Sequence, residues 1–283
     1  MEKYGKTVHI WQEERKRTEE FPIHLTRQTI GADCMLHTGM HWHDNIEFIY
    51  VVSGTAQIIC GLERIDAAPS DLISIFPGEL HCIIPGGESV EYYGIGADLN
   101  FFRDAGLFVE YARLPRLTSP AMDARPGKLA FQLIQEMQEH KTGFKAMART
   151  LMIQMAICLI RDDQNTSGKI YRDNRKIRMI KDALEYMAQN YTHEISVDAI
   201  CEHIGFSKYY FCRTFKQITG KTAVEHLNMI RCQKAYELIA QNKYSIKQAA
   251  LAAGFHNQQY FCKVYKKYTG TLPSQIKKQR AAG

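Results

Sequence analysis

A chain of 283 residues with 45% hydrophobic residues has material for two domains, each with its own core, and its overall composition is that of an ordinary soluble protein. The charged opening, MEKYGKTVHIWQEERKRTEE, predicts no secretory leader, and the most apolar stretch, Met147 to Ile160, is interrupted by Arg149 and Gln154, which argues against a membrane span. The net charge of +6 conceals an uneven spread: residues 170–283 hold 19 Lys+Arg against 8 Asp+Glu, whereas residues 1–169 hold 17 against 22. An excess of eleven positive charges on the C-terminal part points to a polyanionic partner, with DNA, RNA and acidic lipid still to be separated. Eight cysteines at 34, 60, 82, 158, 201, 212, 232 and 262 include no CxxC pair, so neither a disulfide framework nor a zinc finger is expected. Reduced thiols in a cytoplasmic protein fit this pattern.

In chain order, HWHDNIEFIYVVSG (41–54), AQIICG (56–61) and DLISIFPGELH (71–81) read as short strands separated by turns, as in a β-barrel or sandwich. His41, His43 and Glu47 share odd parity, which places them on one side of a strand. GKLAFQLIQEMQEH (127–140) and FKAMARTLMIQMAICLIRDD (144–163) are helical by period, and the second is apolar nearly all round, as expected of a helix covered on both sides. RDDQNTSGK (161–169) is polar and reads as a linker. Next comes a repeat. SVDAICEHIGF (196–206) and SIKQAALAAGF (245–255) each read as a short helix with a serine N-cap and a glycine stop. A small residue, Cys201 or Ala250, stands four before each glycine, where a second helix must approach closely, so each copy is a helix-turn-helix. In the following helices Phe211, Phe215 and Ile218, and equally Phe261, Tyr265 and Tyr268, fall on one face. Tyr209, Arg213 and Lys216, and equally Gln259, Lys263 and Lys266, fall on the other. The outward set has chemistry suited to reading bases. Between the copies lies a helix, 222–241, about 30 Å long at 1.5 Å per residue, with Thr222 and Glu225 as its capping box. A spacer of that length can set two recognition helices about one DNA turn apart.

Residues 175–280 closely resemble the DNA-binding domain of the AraC/XylS-family transcriptional regulators. The resemblance rests on the frame Arg231, Ala235, Leu238 and Ile239 and on the ending GFHNQQYFCKVYKKYTGTLPSQIKK. It implies base reading by Tyr209, Cys212 and Arg213 in the first copy and by Gln258, Gln259 and Lys263 in the second. Cys201 and Cys212 depart from the small or polar residues more frequent at those positions. The N-terminal half is then implied to be a sensor. His41, His43, Glu47 and Gly54 fit the cupin pattern HxHxxxExxxxxxG, and His81 matches the second cupin motif, although Ser70 stands where glycine is usual. The fold implied is α+β and multidomain: a cupin-like β-barrel with two following helices over residues 1–163, a linker at 164–174, and an all-α domain with two helix-turn-helix motifs over 175–283.

His41, His43, Glu47 and His81 are the candidate effector-binding residues, hydrogen bonding to a polyhydroxylated or carboxylate ligand, with a sugar or related metabolite as the class the resemblance suggests. Their types would also suit a divalent metal, and they could equally satisfy one another inside the barrel; no metal, cofactor or catalytic residue is assigned. The function expected is a sequence-specific regulator responding to a small molecule. The alternative is a metal-dependent cupin enzyme, a dioxygenase or isomerase, joined to a DNA-binding module. The expected partners are double-stranded promoter DNA, the effector, RNA polymerase, and a second copy of the chain paired through the helices at 127–163.

Overall fold

The computed structural model describes residues 21–31, 39–109, 112, 114–162, 175–240 and 244–275. The expected linker at 164–174 lies outside them. The chain divides into two compact units, one carrying the strands and the first three helices, the other carrying the helices from Arg175 onward. No helix among the described residues is long and apolar enough to cross a membrane.

The first unit contains β1 (Ile23–Gly31), β2 (Ile46–Ser53), β3 (Ala56–Cys60), β4 (Glu63–Ala67), β5 (Leu72–Ile75), β6 (His81–Pro85), β7 (Ser89–Ala97), α1 (Leu99–Asp104), β8 (Leu117–Thr118), α2 (Ala124–Glu139) and α3 (Phe144–Asp162). All strand pairs described are antiparallel. They build a five-stranded sheet in the order β1-β7-β2-β5-β8 and a three-stranded sheet in the order β4-β3-β6. The five-stranded sheet is covered on both faces, which is why β2 is buried from Ile46 to Val51 rather than alternating. Ile46, Phe48 and Tyr50 pack with Leu133, Met152 and Met155 of α2 and α3, while Ile49 and Val51 pack with Ile58, Ile65 and Ile83 of the other sheet. Helix α3 buries Ala148, Leu151, Met152, Met155, Ala156 and Leu159 along one stripe; Met147 remains half exposed and Ile153, Ile157 and Ile160 partly so. Ser70, in the turn before β5, sits at φ 72, the left-handed region that glycine occupies without strain.

The second unit contains α4 (Arg175–Asn190), α5 (Val197–Ile204), α6 (Lys208–Thr219), α7 (Ala223–Ala240), α8 (Ile246–Ala252) and α9 (Gln258–Thr269). The repeat gives equivalent helix pairs, α5 with α6 and α8 with α9. Ser196 caps α5 through the Ala199 amide, and Ser245 forms a reciprocal capping box with Gln248. Gly220 and Gly270 end the second helix of each pair at φ 73. Thr222 and Glu225 cap α7 reciprocally, as expected. Helix α7 contributes Met229, Cys232, Ala235 and Ile239 to the core of the second pair, and it also touches α4 and α6. Arg231 on α7 ties this arrangement together. Its guanidinium donates to the carbonyls of Tyr191 (2.8 Å) and His193 (2.7 Å), just past the end of α4. Gly254, at φ 83, lies so close to the Tyr191 carbonyl that a Cβ there would collide with it.

His226 on α7 is fully buried with its ring edge-on to Phe215. Burial, with a smaller contribution from the charge of Lys221, pushes its pKa down from 6.5 to about 3. The folded chain therefore refuses a proton that the unfolded chain accepts. The histidine's contribution to stability is fully present above pH 6.5 and is lost as the pH falls toward 3, at roughly 1 kcal/mol per pH unit. His226→Leu should flatten the acid side of the stability profile between pH 6.5 and 4, as read by urea unfolding; an unchanged slope would place the acid sensitivity elsewhere.

Candidate functional site

In the first unit, three of the four candidate effector residues converge. Glu47 lies on β2 opposite Ile75 of β5 and Gly96 of β7, on the face that carries Ile49 and Val51, so its side chain enters the space between the sheets. His81 opens β6, opposite Cys60 of β3, and faces the same interior. His43 precedes β2 and is separated from it by a bend at Asp44 and Asn45. The hydrogen bond from the Gly78 amide to the His43 carbonyl, 2.7 Å, holds it beside the β5–β6 connection. The His43 Nε2 stands 2.9 Å from Glu47 Oε2, and the His81 Nε2 stands 3.5 Å from the same oxygen. The two imidazoles meet edge to face with centroids 5.0 Å apart. All three side chains are buried, Glu47 to 5% exposure.

His41 is not in this set: the donor atoms that gather within 4.8 Å belong to His43, Glu47 and His81. Its Nδ1 instead lies 3.1 Å from the Gly39 carbonyl. Strand parity cannot carry a residue from 41 to 47, because the bend at 44–45 interrupts the strand; His43 reaches Glu47 by turning back four residues later.

Several residues that shape this site carry no motif. The Nδ1 of His43 is 2.9 Å from the Asn45 carbonyl and that of His81 is 2.8 Å from the Glu79 carbonyl. A carbonyl only accepts, so each Nδ1 is the protonated nitrogen and each Nε2 is turned toward Glu47. Gly94 on β7 leaves room for the Glu47 carboxylate, which a Cβ at 94 would meet at 2.5 Å. The YGIG of β7, glycine at every second position, was the available signal for a close approach. Glu79 is 1% exposed, and its carboxylate receives two parallel hydrogen bonds from Arg116, 2.6 and 2.5 Å, and one from the Phe76 amide. Arg116 also donates to the Ser74 carbonyl (2.6 Å) and lies over the Phe76 ring. The β5–β6 connection, and with it His81, is thus fastened to the strand edge that leads into α2. Cys60, inside the sandwich, is held as a neutral thiol by burial, which raises its pKa well above the ordinary range.

In the second unit, Tyr209, Cys212 and Arg213 on α6 and Gln258, Gln259 and Lys263 on α9 are all exposed, Tyr209 to 76%. Phe211, Phe215 and Ile218, and Phe261, Tyr265 and Tyr268, are buried beneath them. Lys216 and Lys266 extend each exposed face by one more turn. Tyr260 borders the second face and is steadied by a hydrogen bond between its hydroxyl and Asn228 of α7 (3.0 Å). The two faces differ at their starts: Asn257 caps α9 through the Tyr260 amide, whereas Ser207 makes no side-chain cap bond to α6.

Comparison with known proteins places both regions. Residues 31–156 match the family described as an AraC-like ligand binding domain, and residues 200–279 match that described as a Helix-turn-helix domain. The Bacillus subtilis regulator YdeC, an uncharacterized HTH-type transcriptional regulator, is 23% identical over 94% of both chains. The HTH-type transcriptional activator AarP of Providencia stuartii is 35% identical over 34% of this chain and 71% of its own length. An apo ToxT variant from Vibrio cholerae shares the fold at TM-score 0.50 with 14% identity, over 90% of this chain and 97% of that one.

Arg116→Met should leave the Glu79 carboxylate buried without its guanidinium and cost about 3 kcal/mol. Pairing it with Glu79→Gln should recover part of that loss. Equal destabilisation by the single and the double variant, in chemical unfolding, would mean that the pair is not what fastens the connection.

Proposed function

The chain belongs to the AraC-type helix-turn-helix transcriptional regulators, and from that membership we propose that it reads one promoter site with two helices while a small molecule bound beside His43, Glu47 and His81 controls the response. The reading is supported above all by the pair of equivalent helices, α6 and α9, whose buried faces are alike and whose exposed faces differ. Arg213 can grip guanine through two parallel donors, Gln259 suits adenine, and Lys263 supplies a single point charge. Helix α7, 18 residues long, spans about 27 Å, which suits successive major-groove segments on one face of the duplex.

The effector class we assign is a sugar or a related oxygen-rich metabolite, since the convergent groups in an otherwise apolar interior are two imidazoles and a carboxylate. His41 stands in this reading as a flanking contributor. The relatives are transcriptional regulators, which supports a regulator over a metal-dependent enzyme carrying a DNA-binding module. Pairing of two copies through residues 127–163 is supported by Phe131 and Met147, large apolar side chains about half exposed on α2 and α3. A cytoplasmic location and contact with RNA polymerase complete the proposal.

Arg213→Ala should relax sequence preference at one end of a half-site and Lys263→Ala at the other, about ten base pairs away, each by about 1–3 kcal/mol. Selection of bound sequences from a random pool checks this. Uniform weakening over all sequences would assign the residue to phosphate instead.

A thermal-shift screen of sugars and organic acids identifies the effector. His43→Ala and Glu47→Ala should then abolish the effector's influence on DNA binding without changing affinity for DNA in its absence. A normal response in both variants would remove the effector from this end of the sandwich.

A further inference from the structure

We propose that Cys201 and Cys212 form a peroxide-sensitive dithiol, which closes to a disulfide between α5 and α6 and reopens with a thiol reductant. The disulfide stands apart from the function proposed above; its effect on DNA reading rests on that function.

The repeat places the two thiols at one seam. Cys201 lies on α5, four residues before Gly205, where the second helix must approach closely, and its counterpart in the other copy is Ala250. Cys212 lies on α6, and its counterpart Cys262 packs against the apolar cluster that contains Ala250. Positions 201 and 212 are accordingly neighbours across their own helix pair. An ion pair marks the same seam: Lys208 Nζ of α6 meets Asp198 Oδ2 of α5 at 2.8 Å. Cys201 follows Asp198 by three residues and Cys212 follows Lys208 by four, so each thiol stands one turn along the face that makes this contact. Burial raises the Cys201 pKa, and the charge of a Cys212 thiolate adds to the rise. A disulfide needs Cα atoms within ~7 Å, a separation that small residues at a helix crossing allow.

The thiols differ in access. Among the described residues Cys212 is the one exposed cysteine, whereas Cys201 is 7% exposed. Oxidation therefore begins at Cys212. Its thiolate sulfur bonds to one oxygen of hydrogen peroxide as the O–O bond breaks, and the departing hydroxide takes up a proton to leave as water. Cys201 sulfur then attacks Cys212 sulfur; the S–S bond forms, the S–O bond breaks, and the thiol proton leaves with that oxygen as a second water. Two thiols and one peroxide thus yield one disulfide and two waters. The bridge commits the Cys212 side chain to the seam and constrains the backbone that carries Arg213. In the other copy Ala250 stands where the second thiol would be, so the bridge acts on α6 and spares α9.

The test treats the full-length chain with hydrogen peroxide, alkylates the remaining thiols and digests without reductant. One linked pair of peptides, carrying Cys201 and Cys212 from the same chain, should appear and vanish with dithiothreitol. The DNA probe is the duplex selected from a random pool by the reduced chain. Oxidised protein should bind it about tenfold more weakly, the weight of one base contact, and should lose sequence preference at the end read by Arg213. Dithiothreitol should restore both. Cys201→Ala, which installs the residue of the other copy, should bind as the reduced chain does and keep its affinity under peroxide. Should that variant unfold, the peptide map of the wild-type chain decides alone. Absence of the link in folded protein, a link between two chains or to another cysteine, or a sulfinic acid at Cys212 in place of the link overturns the dithiol. Equal loss of DNA binding by peroxide-treated Cys201→Ala overturns the pair as its cause, and a link that leaves DNA binding unchanged removes the consequence for α6. A reduced chain that selects no duplex overturns the DNA reading and leaves the disulfide to the peptide map.

Discussion

A carboxyl group withdrawn from water inside a sandwich of isoleucines and valines must have its oxygens answered by the protein, and the first unit meets that demand at Glu47. The β2–β7 register brings Gly94 and Gly96 beside the side chain, so the sheet itself makes room for it. The β5–β6 connection then delivers His81 from the opposite sheet, and the bend before β2 returns His43 to the same oxygen. Each delivery depends on groups that are themselves committed: the Gly78 amide on His43, the Glu79 carbonyl on His81, the Arg116 guanidinium on Glu79. The outer partners are therefore as much a condition of the site as the three residues that meet there.

The second unit answers a different constraint: two small helix pairs share one long helix, which supplies part of the core. Helix α7 lies against both, which is why it buries residues on nearly every side, His226, Asn228 and Gln233 among them. Arg231 donates its hydrogen bonds to carbonyls left open past α4, and Gly254 permits the second pair to approach that same turn. The spacing between α6 and α9 is thus fixed by packing rather than by the connecting turns.

The repeat made much of the second unit legible in the sequence: the serine caps of α5 and α8, the Thr222–Glu225 box and the inward and outward faces of α6 and α9 follow from local periodicity and end residues, whereas α8 closes on Ala253 one residue before the expected glycine and α9 is capped by Asn257. The sandwich was legible as short strands and Glu47 as inward-facing by parity, while His81 was reached only through the resembling cupin pattern. Residue 41 shows where such reading stops, because parity presumes an unbroken strand and Asp44 and Asn45 break it. The Glu79–Arg116 pair was invisible for another reason: its members are 37 residues apart and meet only once the strand order is known. Ser70 lies between these cases. Its position departs from the usual glycine of the resembling pattern, and the backbone there is left-handed all the same, so the turn's geometry persists while its preferred residue does not.

The division of labour within α6 and α9 has a consequence for how such a chain can change over generations. Phe211, Phe215 and Ile218, with Phe261, Tyr265 and Tyr268, hold the fold from beneath, while Cys212, Arg213 and Lys216, and Gln259, Lys263 and Lys266, face outward; Tyr260 and Lys267 are exposed side chains that reach back, to Asn228 and to Glu225 and the Tyr268 ring. Substitution at the outward positions should leave stability nearly untouched. If α6 and α9 read the two ends of one operator as proposed, a gene duplicate could exchange its operator for another by single steps, every intermediate folding as well as its parent, and the two ends could drift separately. On that reading the limit on divergence is set by the DNA sites available and not by the protein's ability to remain folded.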